Sequence, residues 1–140
     1  MAAAAGLDKK VGFTGFVENM PAVYRALDIV VHASTAPEPF GLVIPEALAS
    51  GRALVSTTAG GAAELFVPGE HGLAAAPGDA CSLAASLSQL MADAGLRTRL
   101  SNAGRLHAVD RFGIGRFGRE LDETFTRATS SGSVRGKDAR

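Results

Sequence analysis

The chain has 140 residues, the size of one domain with room for a single core, and its 46% apolar share includes much alanine, which fills little volume. Fourteen Lys and Arg balance fourteen Asp and Glu, and only Lys9 and Lys10 precede position 137 among the lysines, so the basic footprint of nucleic-acid binding is missing. Cys81 is the single cysteine, which excludes an intrachain disulfide, and no run approaches the ~18–20 apolar residues of a membrane span. Residues 1–6 lack the basic flank of a secretory leader, so the expected location is the cytoplasm.

Taken in order, Val11-Gly12-Phe13-Thr14 alternates weakly and stops at Gly15, which predicts a short strand. Asn19 is a suitable N-cap for a helix reaching Leu27, with Met20, Val23, Tyr24 and Leu27 on one face. Residues 28–34 form an apolar, β-branched run of strand length. A helix is predicted from about Leu42 to Gly51, a plausible C-terminal glycine, followed by a buried strand at 53–57. A short helix at 61–66, a turn at Pro68-Gly69 and a brief strand at 72–75 come next. Beyond them Asp79 caps a helix carrying Leu83, Leu87, Leu90 and Met91, with Cys81 expected in its first turn as a buried thiol. Leu96, Leu100, Ala103 and Leu106 line the following helix, and Phe117, Leu121, Phe125 and Ala128 the last. From Thr129 the composition turns to Ser, Gly, Lys and Arg, so residues 1–128 are expected to form the domain and 129–140 a disordered tail.

Strands that alternate with helices and carry continuous apolar runs predict an α/β fold, a parallel sheet covered on both faces. In such sheets ligands bind beyond the carboxyl ends of the strands, against helix N-termini. Two segments fall there. One is Glu38-Pro39-Phe40-Gly41-Leu42-Val43-Ile44-Pro45-Glu46, followed by Ala47-Leu48-Ala49-Ser50-Gly51; the other is Thr57-Thr58-Ala59-Gly60-Gly61-Ala62-Ala63-Glu64. Pro39 holds Glu38 extended, in the loop before the helix, and Pro45 is tolerated in the first turn because its N–H would have no intrahelical partner. Free amides near Gly41, Leu42 and Val43 would favour an anion, whereas Glu38 and Glu46 suit hydroxyls, since a carboxylate can hold a vicinal diol. His32 ends a strand beside these segments and reads either as a satisfied packing histidine or as a ligand contact. His71 and His107 read as surface or turn residues, and Glu64 either as a site carboxylate or as a first-turn residue favouring the helix dipole. No His, Cys, Asp and Glu set has metal-ligand spacing, so neither metal nor cofactor is expected.

The two segments together resemble the donor-site signature of the retaining, GT-B type glycosyltransferases of group 1, the GT4 family. The resemblance runs from about Leu7 to Phe112 and implies a Rossmann-like sheet, the second half of a GT-B C-terminal domain with its first strands missing. It implies a nucleoside diphosphate sugar as substrate, of unspecified base, with Glu38 beside the donor's sugar hydroxyls as the catalytic candidate and Glu46 on the ribose diol. Backbone at Phe40, Gly41 and Leu42 would touch sugar and phosphate, Gly60 and Gly61 would pack close to the same pocket, and Gly15, Phe16 and Val17 match the loop lying against the base. Tyr24 matches a position where relatives often carry an aromatic, with core packing as its expected role. The tryptophan motif near the family's domain end reads Arg111-Phe112-Gly113-Ile114 here, a weaker match.

Family members are longer, with an acceptor domain and donor-neutralising Arg and Lys upstream. The expectation is therefore a piece of a retaining transferase, inactive in isolation, completed by a full-length parent that is cytoplasmic or peripheral to a membrane, or by a partner chain supplying the missing domain. The alternative is a non-catalytic nucleotide-binding or interaction module from a truncated gene. A nicotinamide-binding domain is excluded, because no Gly-x-Gly-x-x-Gly follows any strand. With the first strands absent, the expected core has three strands, at 29–33, 53–57 and 72–75, with the 11–14 strand displaced or repaired onto it.

Overall fold

A computed structural model describes residues 3–132 of the chain. Three parallel strands, β1 (Ile29–His32), β2 (Ala53–Thr57) and β3 (Leu73–Ala75), form one sheet in the order β1-β2-β3. Ile29 pairs with Ala53 and His32 with Ser56; across the other edge Val55 pairs with Leu73 and Thr57 with Ala75. All five residues of β2 are buried, as expected for a central strand covered on both faces.

Before β1 runs α1 (Met20–Ala26), between the strands α2 (Val43–Ala49) and a 3₁₀ turn at Gly61–Glu64; beyond them come α3 (Ala80–Ala92), α4 (Ala94–Phe112) and α5 (Ile114–Gly132). The expected caps form. The Asn19 side chain accepts from the Ala22 amide at 3.2 Å, and Asp79 accepts from Cys81 and Ser82 at 2.9 and 3.0 Å. Alternation along the strands sorts the core into two layers. Val30 and Leu54 point into a cluster with Tyr24, Ile44, Leu48 and Phe66, while Ala53 and Val55 meet Leu90, Leu96 and Leu100.

Several expectations are corrected. Residues 11–14 form no strand, displaced or repaired; instead the Lys10 and Val11 amides turn back onto the Leu7 carbonyl at 2.8 and 2.9 Å, and Phe13 is 88% exposed. Among the described residues no strand lies alongside to take their ladder bonds, which a strand requires. Cys81 does lie in the first turn of α3, yet on its exposed side. On α4 the buried face is Leu96, Leu100, Gly104 and Ala108, and Leu106 is exposed. On α5 the expected apolar face, with Phe117, Leu121 and Phe125, exists but is exposed. The helix continues to Gly132, so residues 129–132 of the expected tail are helical, and 133–140 lie outside the described residues.

His71 lies in a turn, as expected, but both it and His107 are half-buried, and they fasten the segment before β3 to α4. Their rings stack at 4.0 Å and 23°. His71 Nδ1 lies 3.2 Å from the Val67 N–H, so it accepts; His107 Nε2 lies 3.1 Å from the Leu65 carbonyl, so it donates. Burial, and then the neighbouring His107, push the His71 pKa down, with Glu70 opposing. Below the ordinary value of about 6.5 the unfolded chain therefore binds more protons at this site than the folded one. The associated stability is present above that value and is lost as pH falls through the depressed folded value.

Two predictions follow from packing and protonation. The urea midpoint is expected to fall as pH drops from about 6.5 toward 5, and His71→Asn, which keeps an acceptor for Val67, to flatten that fall; equal slopes would contradict the assignment. A Cβ on Gly104 would sit 2.6 Å from Leu48 Cδ2 and 2.9 Å from the His71 carbonyl, whereas one on Gly118 meets nothing within 4 Å. Gly104→Val is thus expected to cost about 1–3 kcal/mol in urea unfolding, and Gly118→Ala to cost nothing or to stabilise.

Candidate donor site at the ends of β1 and β2

The loop from β1 to α2, residues 33–42, is held at two points by the end of β2 and the turn after it, and by one bond of its own. Thr57, the last residue of β2, donates its hydroxyl to the Ser34 carbonyl at 2.8 Å, and the Ser34 hydroxyl donates to Ala36 at 3.0 Å. The Gly61 amide donates to the Glu38 carbonyl at 2.9 Å, and Glu38 and Gly60 form an isolated parallel bridge. A side chain at either glycine is excluded. A Cβ on Gly60 would lie 2.7 Å from the Glu38 carbonyl oxygen, and one on Gly61 would collide with the carbonyl of Pro39. Gly60 also has φ +63°, which disfavours other residues. The Gly-Gly turn is thus the seat on which the Glu38 loop rests.

The Glu38 side chain folds back toward the sheet. Its Oε1 lies 2.6 Å from His32 Nε2, and His32 Nδ1 lies 3.2 Å from the hydroxyl of buried Ser56 on β2. Gly41, at φ +82°, starts the turn into α2, and a Cβ there would stand 3.6 Å from Glu38 Oε2. No side chain caps the start of α2, where Leu42 is exposed. Phe40 is partly exposed, its ring 6.2 Å from Phe112 at 83°, and Phe112 in turn meets His107 edge-on at 5.9 Å.

Glu46 lies in the first turn of α2 and faces α1. Buried Tyr24 donates its hydroxyl to Glu46 Oε2 at 2.8 Å. Burial first, then the bond to Glu46 and its charge, push the Tyr24 pKa up to about 12. Tyr24 is therefore a core residue, as expected, and also a fixed donor to this carboxylate. A cavity of about 200 Å³ lined by Met20, Pro21, Tyr24, Glu46 and Ser50 opens beside it. Arg52 ties the ends of α1 and α2, donating to the Leu27 carbonyl at 3.0 Å and the Ser50 carbonyl at 3.1 Å.

The fold therefore brings together Glu38, Phe40, Gly41, Leu42, Gly60 and Gly61 around one loop, with Glu46 farther along α2. Gly15 and Phe16 are exposed in the segment before α1, Phe16 at 90%, and no atom stands within 4 Å of a Cβ on Gly15. Glu64 is exposed on the 3₁₀ turn. The sequence left the His32–Glu38 bond undetected and gave Ser56 no part; Thr57 stood in the second segment without an assigned role. The available signal was polar residues ending both apolar strands, His32 and Ser56, which the parallel register sets side by side.

Replacing the seat is expected to release the loop. Gly61→Ala should cost about 1–3 kcal/mol in urea unfolding and shift the Glu38 and Phe40 amide resonances, with the α3 resonances unmoved; an unchanged loop spectrum would contradict this packing.

Residues 1–107 match the family described as glycosyl transferases, group 1. Among curated proteins, the lipopolysaccharide core biosynthesis glycosyltransferase LpsE of Rhizobium meliloti is 36% identical over 112 residues, 80% of this chain and 33% of that protein. Mannosylfructose-phosphate synthase of Agrobacterium fabrum is 40% identical over 101 residues, 71% of this chain and 22% of that protein. The chain thus spans a third or less of the length of these relatives. Among solved structures, Anabaena HepE in complex with UDP superposes with a TM-score of 0.87 at 34% identity, covering 90% of this chain and 35% of HepE. The C-terminal domain of the group 1 protein LpcC from Francisella tularensis gives a TM-score of 0.71 at 37% identity, over 81% of this chain and 59% of that domain. The three-stranded α/β unit is accordingly part of a GT-B C-terminal domain, and the chain belongs to the group 1 glycosyltransferase family.

Proposed function

We propose that residues 38–46 and 60–61 bind a nucleoside diphosphate sugar, and that the whole protein transfers its glycosyl unit to an acceptor hydroxyl with retained configuration. The observation that carries this reading is the Gly60-Gly61 turn seated on the Glu38–Pro39 backbone, which holds an acidic loop at the carboxyl ends of β1 and β2. That is where open parallel sheets bind nucleotides. The similarity to HepE, solved with UDP and with UDP-glucose, supports the same ligand class.

In this reading Glu46, with Oε2 held by Tyr24, accepts from the ribose hydroxyls. Glu38 accepts from the glycosyl hydroxyls and, lying beside the reacting carbon's ring, is the catalytic candidate. Backbone at Phe40, Gly41 and Leu42 lies along sugar and phosphate. Gly15 and Phe16 would meet the base, which requires the segment before α1 to approach the site. Retention follows if the leaving diphosphate oxygen assists attack on the face from which it departs, the protein supplying position and electrostatics rather than a nucleophile. Among the described residues no helix is long and apolar enough to cross a membrane; we propose a cytoplasmic protein, peripheral to a membrane where its acceptor is a lipid.

Calorimetry with UDP, GDP and ADP and their glucose or mannose conjugates separates the two carboxylates. Glu46→Gln is expected to weaken both the preferred free nucleotide and its conjugate about tenfold, and Glu38→Gln to weaken the conjugate alone. Loss of neither affinity in either variant would refute the assignment.

A further inference from the structure

Glu38 is not a free carboxylate. Among the described residues its one hydrogen-bonding partner is His32, at 2.6 Å, whose side chain is 11% exposed against 30% for Glu38. Protonation at Nε2 follows from the partners. An ionised carboxylate only accepts, so the proton lies on the ring nitrogen. On the far side, Ser56 Oγ lies 3.2 Å from Nδ1 and 3.0 Å from the Thr57 carbonyl. With the hydroxyl proton on Thr57, Nδ1 donates to Ser56 and the ring is a cation; with it turned to Nδ1, the ring is neutral. Both arrangements keep a proton between Nε2 and Glu38.

Ser, His and Glu in a row also make up a hydrolase triad, but the order on the ring is reversed. There the nucleophile meets Nε2 and the carboxylate meets Nδ1. Here Ser56 faces Nδ1 and is fully buried, out of reach of any substrate. The chain of groups therefore orients Glu38 and does not activate Ser56.

We propose that His32 is a positioning residue, whose Nε2–H occupies Glu38 Oε1 and leaves Oε2, on the Gly41 side, as the single acceptor offered to a hydroxyl of the donor's glycosyl group. The proposal rests on the donor-site reading above. It also accounts for an acidic side chain beside an anionic diphosphate: the His32 proton draws charge toward Oε1, away from the ligand. A rotatable carboxylate would present either oxygen, and a fixed one selects a hydroxyl in one direction.

The test uses the full chain with the nucleotide sugar and free nucleotide that bind best from the UDP, GDP and ADP series. His32→Ala is expected to weaken the conjugate about tenfold and to leave the free nucleotide within about twofold; His32→Gln, which keeps a donor near the Nε2 position, should recover most of the loss. In a Glu38→Gln background the effect of His32→Ala should largely disappear. Equal weakening of conjugate and free nucleotide, or of neither, overturns the proposal. A second measurement needs no ligand. In the ¹⁵N-labelled wild-type chain at pH 8, His32 Nε2 should resonate as a protonated nitrogen and Glu38 Cδ should shift on His32→Ala; an unprotonated Nε2 overturns the proposal outright. A wild-type chain that binds no conjugate while showing a protonated Nε2 refutes the donor-site reading and the ligand role, and leaves His32 only the anchoring of Glu38.

Discussion

The close approach of the Gly60-Gly61 turn to the Glu38–Pro39 backbone is the contact on which the site depends. Without side chains at 60 and 61, the Gly61 amide reaches the Glu38 carbonyl at 2.9 Å, and the segment following β2 locks the segment following β1. Loops usually carry functional groups with more freedom than a site tolerates. Here much of the freedom is removed by backbone contact at Glu38 and Pro39, while Phe40 and Leu42 beyond them stay exposed.

The two carboxylates of the acidic segment are held in the same way, each by one neutral-capable donor from the scaffold, buried Tyr24 and half-buried His32. Tyr24 holds Glu46 at 2.8 Å, and His32 holds Glu38 at 2.6 Å. The donors come from opposite ends of the first α/β unit: Tyr24 from α1, and His32 from the end of β1. Each carboxylate thus keeps one oxygen bound to the scaffold, an arrangement suited to hydroxyl recognition at two points along an extended ligand. Placing both donors on regular elements gives more precise aim than donors on loops would.

Most of the core was readable because its signals are local. Residues 53–57 run from apolar Ala53-Leu54-Val55 into Ser56-Thr57, and they form a fully buried strand; Asn19 and Asp79 have cap chemistry, and they cap. What failed depends on neighbours. Val11-Gly12-Phe13-Thr14 has strand composition but no adjacent strand among the described residues, and its Val11 amide turns back on Leu7. On α4 the buried row runs through Gly104 rather than Leu106, because the helix crosses close to Leu48 and the His71 carbonyl, where only a missing side chain fits. The motif residues were legible as a set, yet the His32–Glu38 bond was not, since it arises only when the loop folds back over the sheet.

The most direct measurement is an amide-resolved NMR titration of this chain with UDP, GDP and ADP. Binding at the proposed site predicts saturable shifts clustered at residues 38–46 and 60–61 and at Gly15 and Phe16, with one base preferred. Shifts scattered over α3, α4 and α5, or none for any nucleotide at millimolar concentration, would contradict a donor site formed by these residues.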